Sequence, residues 1–150
     1  MNKGRWWAPI LLLMTPGGCS DPSPLPISDS AGPALPPSEI TQIVLLGTGT
    51  PNAEPGRYGS AVAVVVNGAP YLVDAGAGVV HRANQAFREG TEGLAPNRLG
   101  TLFLTHLHTD HTVGLPDLMY TPWVLERQAP LKVFGPPGTE EMIHHLSLAY

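Results

Sequence analysis

Thr101-Leu102-Phe103-Leu104-Thr105-His106-Leu107-His108-Thr109-Asp110-His111 runs from an apolar stretch of strand length straight into three imidazoles and a carboxylate. In an extended chain His106 and His108 project to the same side, while Asp110 and His111 fall past the strand end and are free to turn back toward them. Neutral imidazole nitrogens and an ionised carboxylate are ligands that Zn²⁺ or Mn²⁺ prefers. The alternative is a polar loop that is merely rich in histidine. Grouped at the mouth of a buried strand, such side chains would be poorly satisfied without an ion. The stretch therefore predicts a strand that delivers a metal-binding loop.

Strand and helix signals continue on both sides of this loop. Upstream, Ile43-Val44-Leu45-Leu46 is a short apolar run bounded by Gly47-Thr48-Gly49-Thr50-Pro51. A second run, Ala61 to Val66, passes through Asn67-Gly68 into Tyr71-Leu72-Val73, and Asn-Gly between apolar runs is a strong hairpin signal. Val79 to Arg88 reads as a helix and Glu89 to Gly100 as a loop. Downstream, a helix is expected from about Val113 to Glu126 with Pro116 near its start, then a strand over Leu131 to Phe134 and a helix from Thr139. That last pattern stops at Tyr150 without a capping glycine, so the sequence reads as part of a longer domain with further ligands beyond Tyr150. The order of elements predicts an α/β fold, a sheet with helices on at least one face.

Composition bounds the setting. Across 150 residues the hydrophobic fraction is 43%, Gly and Pro number 17 each, and charged residues make up only 13%, which suits a loop-rich enzyme. A formal net charge of -4 supplies no basic footprint for nucleic acid. Residues 1–19 read as a secretory signal: Lys3 and Arg5 precede the apolar run Trp6 to Met14, then come Gly17-Gly18 and the single cysteine, Cys19. Cys19 resembles the modified cysteine of a bacterial lipoprotein signal, although Pro16 stands where that signal usually carries leucine. Residues 20–39, crowded with Pro, Ser, Ala and Asp, read as a disordered tether, and residues 40–150 as the folded part. The expected location is the bacterial periplasm or cell envelope, with the membrane reached through a lipid anchor on Cys19.

Thr105 to His111 followed by Gly114-Leu115-Pro116 resembles the signature of the metallo-β-lactamase superfamily. Leu46-Gly47-Thr48-Gly49-Thr50-Pro51, Leu72-Val73-Asp74-Ala75-Gly76 and Phe134-Gly135-Pro136-Pro137-Gly138-Thr139 are similar to motifs of its ribonuclease Z and arylsulfatase branch, in the same order. The resemblance covers about Ile40 to Tyr150. It implies a four-layer αββα sandwich with a dinuclear site at one edge, of which this sequence holds the N-terminal part. It also implies that His106 and His108 bind one metal ion and Asp110 and His111 the other, with Zn²⁺ the expected ion and Mn²⁺ or Fe²⁺ as alternatives. Two divalent ions about 3.5 to 4 Å apart share a hydroxide and polarise the group it attacks, and Asp110 is then both ligand and candidate general base. Asp74 is either an ordinary turn former or, as the resemblance implies, a support whose carboxylate accepts a hydrogen bond from the far nitrogen of a ligand histidine or from the loop backbone.

The function expected on these grounds is a metal-dependent hydrolase acting on a phosphodiester or related ester. The competing readings are an arylsulfatase- or lactonase-type hydrolase and an inactive metal- or partner-binding module of the same fold. Expected partners are the small-molecule or phosphodiester substrate and the membrane, with nucleic acid entering by resemblance only and a homodimer as the oligomer to test. Gly47-Thr48-Gly49 lacks the third glycine and following helix of a dinucleotide loop, so it reads as a tight turn at the sheet edge. Gly135-Pro136-Pro137-Gly138 reads as a strand-to-helix turn. His81, His144 and His145 are given no ligand role, and Met119 and Trp123 are expected in the core.

Overall fold

The computed structural model describes residues 40–52 and 54–150, so the expected signal, its Cys19 and the tether lie outside the described residues. Five strands, β1 (Thr41–Gly47), β2 (Ala61–Val66), β3 (Ala69–Val73), β4 (Thr101–Phe103) and β5 (Lys132–Phe134), form one sheet in that order. The first three are antiparallel neighbours, and β4 and β5 add in parallel. The β2–β3 hairpin turns at Asn67 and Gly68 with φ of 51° and 76°. Both are left-handed, as the tight turn matching strand twist requires. Parallel strands need crossovers, and here the helices supply them. Helix α1 (Val79–Arg88) lies between β3 and β4, while α2 (Thr109–Thr112) and α3 (Leu115–Val124) lie between β4 and β5. Helix α4 (Thr139–Ala149) follows the last strand.

Strand register assigns every side chain to a face. Val44, Ala63, Leu72, Leu102 and Val133 are paired across the sheet and point one way. They join a core with Val79, Val80 and Ala83 of α1 and Leu115 and Leu118 of α3, against which Met142, Ile143 and Leu146 of α4 pack. The opposite face is largely apolar, with the Thr101–Lys132 pair as its polar end. Leu45, Val62, Val73, Phe103 and Phe134 form one row across it, and the Phe103 and Phe134 rings stack at 5.1 Å. Ile43 is 71% and Leu45 61% exposed on this side. The described residues thus supply a helix layer and one sheet, and the bare face is the one that a second sheet covers in an αββα sandwich.

The helix expected over Val113 to Glu126 forms as α3, and the single turn α2 precedes it as a separate element. At Gly114 a Cβ would lie 2.2 Å from the Gly76 carbonyl oxygen, so the chain passes too close to the β3 end for any side chain there. Pro116 sits in the first turn of α3, where its missing N–H has no cost. Pro122 lies inside α3 and has no N–H to offer the Leu118 carbonyl four residues back. Arg127 takes that carbonyl, donating from Nη1 to Leu118 O at 2.9 Å and from Nη2 to Met119 O at 2.8 Å. It also donates to Leu99 O and Ala129 O. Burial pushes the Arg127 guanidinium below its ordinary pKa. Each hydrogen bond to a charged donor contributes about 1.5–3 kcal/mol, so this side chain ties α3 to the segment before β4. Trp123, expected in the core, is instead 55% exposed, because Pro122 occupies the buried position beside it.

Candidate metal centre

The candidate loop starts where β4 runs out of partners. Leu104 N–H still donates to Phe134 O at 2.7 Å, but the next amide, Thr105, turns to a side chain and donates to Asp74 Oδ1 at 2.8 Å. His106, Leu107 and His108 then continue without regular structure, with His108 extended at φ -65° and ψ 150°. Their alternation brings the His106 and His108 rings to the same side, 4.7 Å apart between centroids and edge to face. Asp110 and His111 stand on the single turn of α2. That turn is clamped to the end of β3 from behind: Ala75 N–H donates to His111 O at 2.8 Å and Gly114 N–H to Ala75 O at 2.9 Å. Gly76 makes the clamp sterically feasible, since a Cβ there would come within 2.6 Å of the Asp110 carbonyl oxygen. The outcome is a His111 ring 4.0 Å from the His106 ring, so all three imidazoles and the carboxylate meet at one sheet edge.

Asp74 lies beneath this cluster in the left-handed region, at φ 62°, a conformation that Asp tolerates better than most residues. Its side chain is only 8% exposed. Oδ2 accepts from His111 Nδ1 at 2.8 Å, and Thr105 Oγ1 lies 2.9 Å from each carboxylate oxygen. An ionised carboxylate only accepts, so a neutral His111 ring in this contact carries its proton on Nδ1 and bears a lone pair on Nε2. That Nε2 stands 3.4 Å from Asp110 Oδ2. Two electron-pair donors facing each other in a partly desolvated cleft repel unless a proton or a cation lies between them. The donor set therefore fits a divalent cation on the Asp110 and His111 side. Among the described residues no three His, Cys, Asp or Glu side chains converge as a finished cage for a metal ion. The loop supplies one apposed pair with the rings of His106 and His108 packed beside it.

A cleft of about 260 Å³ opens directly against Asp110, walled by Thr50, Asn52, Arg57 and Thr109. Arg57 pairs loosely with Glu54 across 3.6 Å at its exposed rim. A larger cleft of about 780 Å³ lies between β5 and the start of α4, but its titratable side chains are Glu140 and Glu141 and it touches none of the clustered histidines. The smaller cleft is the one with chemistry at its wall. His81, His144 and His145 all lie exposed, and His81 stacks on Tyr58 at 6.0 Å. Thr105 was not singled out by the sequence. A β-branched hydroxyl beside the first histidine was the available signal, but nothing in the spacing says which way it points.

A model of the metallo-beta-lactamase superfamily matches residues 55–144. Ribonuclease Z of Mycobacterium sp. (strain KMS) is 40% identical over 113 residues, covering 74% of this chain and 38% of that protein. Ribonuclease Z of Mycobacterium marinum is 40% identical over 114 residues, covering 74% and 39%. Among solved structures, the short form of human tRNase Z superposes with a TM-score of 0.58 at 32% identity, covering 71% of this chain and 39% of that one. A metallo-beta-lactamase fold protein from Bacillus subtilis gives 0.57 at 18% identity, a likeness of fold alone, over 71% and 41%. The chain spans about two fifths of the length of the curated relatives it matches.

Proposed function

Since this chain belongs to the metallo-beta-lactamase superfamily, we propose that it carries the metal loop of a metal-dependent hydrolase that cleaves a phosphodiester or a related ester. The observation that carries this reading is the apposition of His111 Nε2 and Asp110 Oδ2 at 3.4 Å above a buried carboxylate. In this reading His106 and His108 hold one divalent ion and Asp110 and His111 a second, with Zn²⁺ first and Mn²⁺ or Fe²⁺ as alternatives. When bound, such ions activate water and offset the charge that develops on the group being attacked. The chain's own residues do the rest. Asp74 holds the His111 ring in one orientation, and Asp110 accepts a hydrogen bond from the attacking water through its outer oxygen, which orients it. Thr50, Asn52 and Arg57 wall the cleft that receives the substrate, and Arg57 brings positive charge to an anionic one. The ribonuclease Z relatives support a phosphodiester over other esters.

Elemental analysis of the purified full-length protein checks the site. About two divalent ions per chain are expected for the wild type, and His106→Ala or His108→Ala is expected to lose chiefly one. A metal-free wild type that is fully active would end the proposal.

Location decides which phosphodiester is reachable. We place the protein at the bacterial cell envelope, with Cys19 as the lipid-bearing first residue of the mature chain and residues 20–39 as its tether. Precursor tRNA is a cytoplasmic molecule, so an envelope enzyme acts on a different ester, in keeping with the net charge of -4. Among the described residues no helix is long and apolar enough to cross a membrane. Membrane fractionation with mass measurement of the mature N-terminus is expected to show an acylated Cys19 in the wild type and loss of the modification in Cys19→Ser. An unmodified Cys19 with residues 1–18 still attached contradicts the anchor.

A further inference from the structure

One carboxylate serves two histidines in this loop, the second of them through a hydroxyl. Thr105 Oγ1 lies 2.9 Å from both oxygens of Asp74 and 3.0 Å from His106 Nδ1. A threonine hydroxyl has a single hydrogen to donate. If it pointed at His106, a bare hydroxyl oxygen would face a buried carboxylate at 2.9 Å with nothing between them. The hydrogen therefore goes to Asp74, and the Thr105 oxygen is left to accept from His106 Nδ1–H. The Thr105 main chain is held beside the same carboxylate, its amide bonded to Asp74 Oδ1 at 2.8 Å.

We propose that Thr105 is a positioning residue: by relaying the Asp74 carboxylate to His106 it fixes the proton on Nδ1 and leaves Nε2 as the open electron-pair donor. His111 is set in the same tautomer by Asp74 directly, at 2.8 Å. The two rings are 4.0 Å apart and their donor nitrogens are thus specified by one buried group. In water a neutral imidazole favours the proton on Nε2, so the arrangement reverses the intrinsic preference of two side chains at once. Its consequence for ion binding rests on the metal-centre reading above, whereas the tautomer itself does not.

The test uses the ¹⁵N-labelled full-length chain, freed of metal with a chelator and held well above the ordinary histidine pKa of about 6.5 so that the rings are neutral. Long-range ¹H–¹⁵N correlation spectra report which ring nitrogen carries hydrogen. In the wild type His106 and His111 are both expected as Nδ1–H. Thr105→Val keeps the shape and removes the hydroxyl; His106 is expected to move toward Nε2–H while His111 stays as it was, which also shows that the loop remains folded. Thr105→Ser restores the hydroxyl and is expected to restore the His106 tautomer. Zn²⁺ added to the same samples is expected to bind ~10–100-fold more weakly in Thr105→Val, the usual scale for losing an outer partner of a ligand histidine. A wild-type His106 protonated on Nε2 overturns the proposal whatever the variants do, as does a Thr105→Val spectrum in which His106 is unchanged. Tautomers that behave as expected in a chain that takes up no Zn²⁺ uphold the relay and refute the metal-centre reading instead.

Discussion

Asp110→Asn is expected to lower turnover of bis-p-nitrophenyl phosphate by ~10²–10⁴-fold, the range of a lost acid–base group. The same substitution is expected to change folding stability far less than turnover, because the Asp110 carboxylate faces the unprotonated Nε2 of a neutral His111 rather than a stabilising partner. The two effects separate because of where Asp110 sits. Its side chain stands on the one-turn helix α2, with a carboxylate oxygen 3.4 Å from His111 Nε2. Asparagine has nearly the same shape but loses the negative charge, and turns one of two acceptor oxygens into a donor. Both roles proposed for Asp110 need the charge and the second oxygen. Steady-state rates after metal loading, set beside urea unfolding of the same samples, check the separation. Equal rates would remove Asp110 from the mechanism, and a large fall in the urea midpoint would make it a structural residue.

Much of this arrangement was legible from local sequence because local chemistry decides it. Asn67-Gly68 can take two successive left-handed conformations at low cost, so the hairpin followed from two residues, and α1 followed from its apolar spacing over Val79 to Arg88. The gathering of His106, His108, Asp110 and His111 followed from strand alternation plus a chain reversal. What stayed hidden depends on partners distant in sequence. The break between α2 and α3 is imposed by the β3 end packing on Gly114, 38 residues after Gly76. The bonds of Arg127 exist because Pro122 leaves a carbonyl open, and proline's position alone does not name the donor. Asp74 was legible as a residue at a strand end, but its left-handed backbone and its link to Thr105 arise only when β3 and β4 lie side by side.

The apolar outer face of the sheet carries a second message that the sequence held in plain form. In Ala61 to Val66 both alternating positions are apolar, with small alanines toward the helices and valines away from them, apart from Val65 on the inner side. A strand with one solvated face would alternate apolar with polar; one buried on both faces reads as a continuous run. β2 has the second pattern, and Val62 and Val64 continue the outer rows that hold Phe103 and Tyr71. The strands are thus written for a sandwich. The candidate metal loop starts at the end of β4, the strand that carries Phe103 of this face.

Asp74→Ala is expected to be the most damaging single change in the described residues. It strands the Thr105 amide, the Thr105 hydroxyl and His111 Nδ1, three donors that meet at a side chain 8% exposed. A donor left without its acceptor at a buried position costs about 1–3 kcal/mol. Holding φ near 62° costs alanine about 1–2 kcal/mol, in a region that Asp and Asn visit more readily. Asp74→Asn separates these contributions. Asparagine accepts the left-handed backbone and offers one acceptor oxygen, so it is expected to recover roughly half of the lost stability. It cannot accept from Thr105 and His111 through both of its terminal atoms, so one donor meets an amide NH₂ instead of an oxygen. Metal affinity is therefore expected to stay ~10–100-fold below wild type in Asp74→Asn even where the fold has recovered. Urea unfolding and Zn²⁺ titration on the same three proteins measure the two quantities independently. If Asp74→Ala is as stable as wild type, the carboxylate is not what holds the loop; if Asp74→Asn binds Zn²⁺ as tightly as wild type, its charge does not act through the histidines.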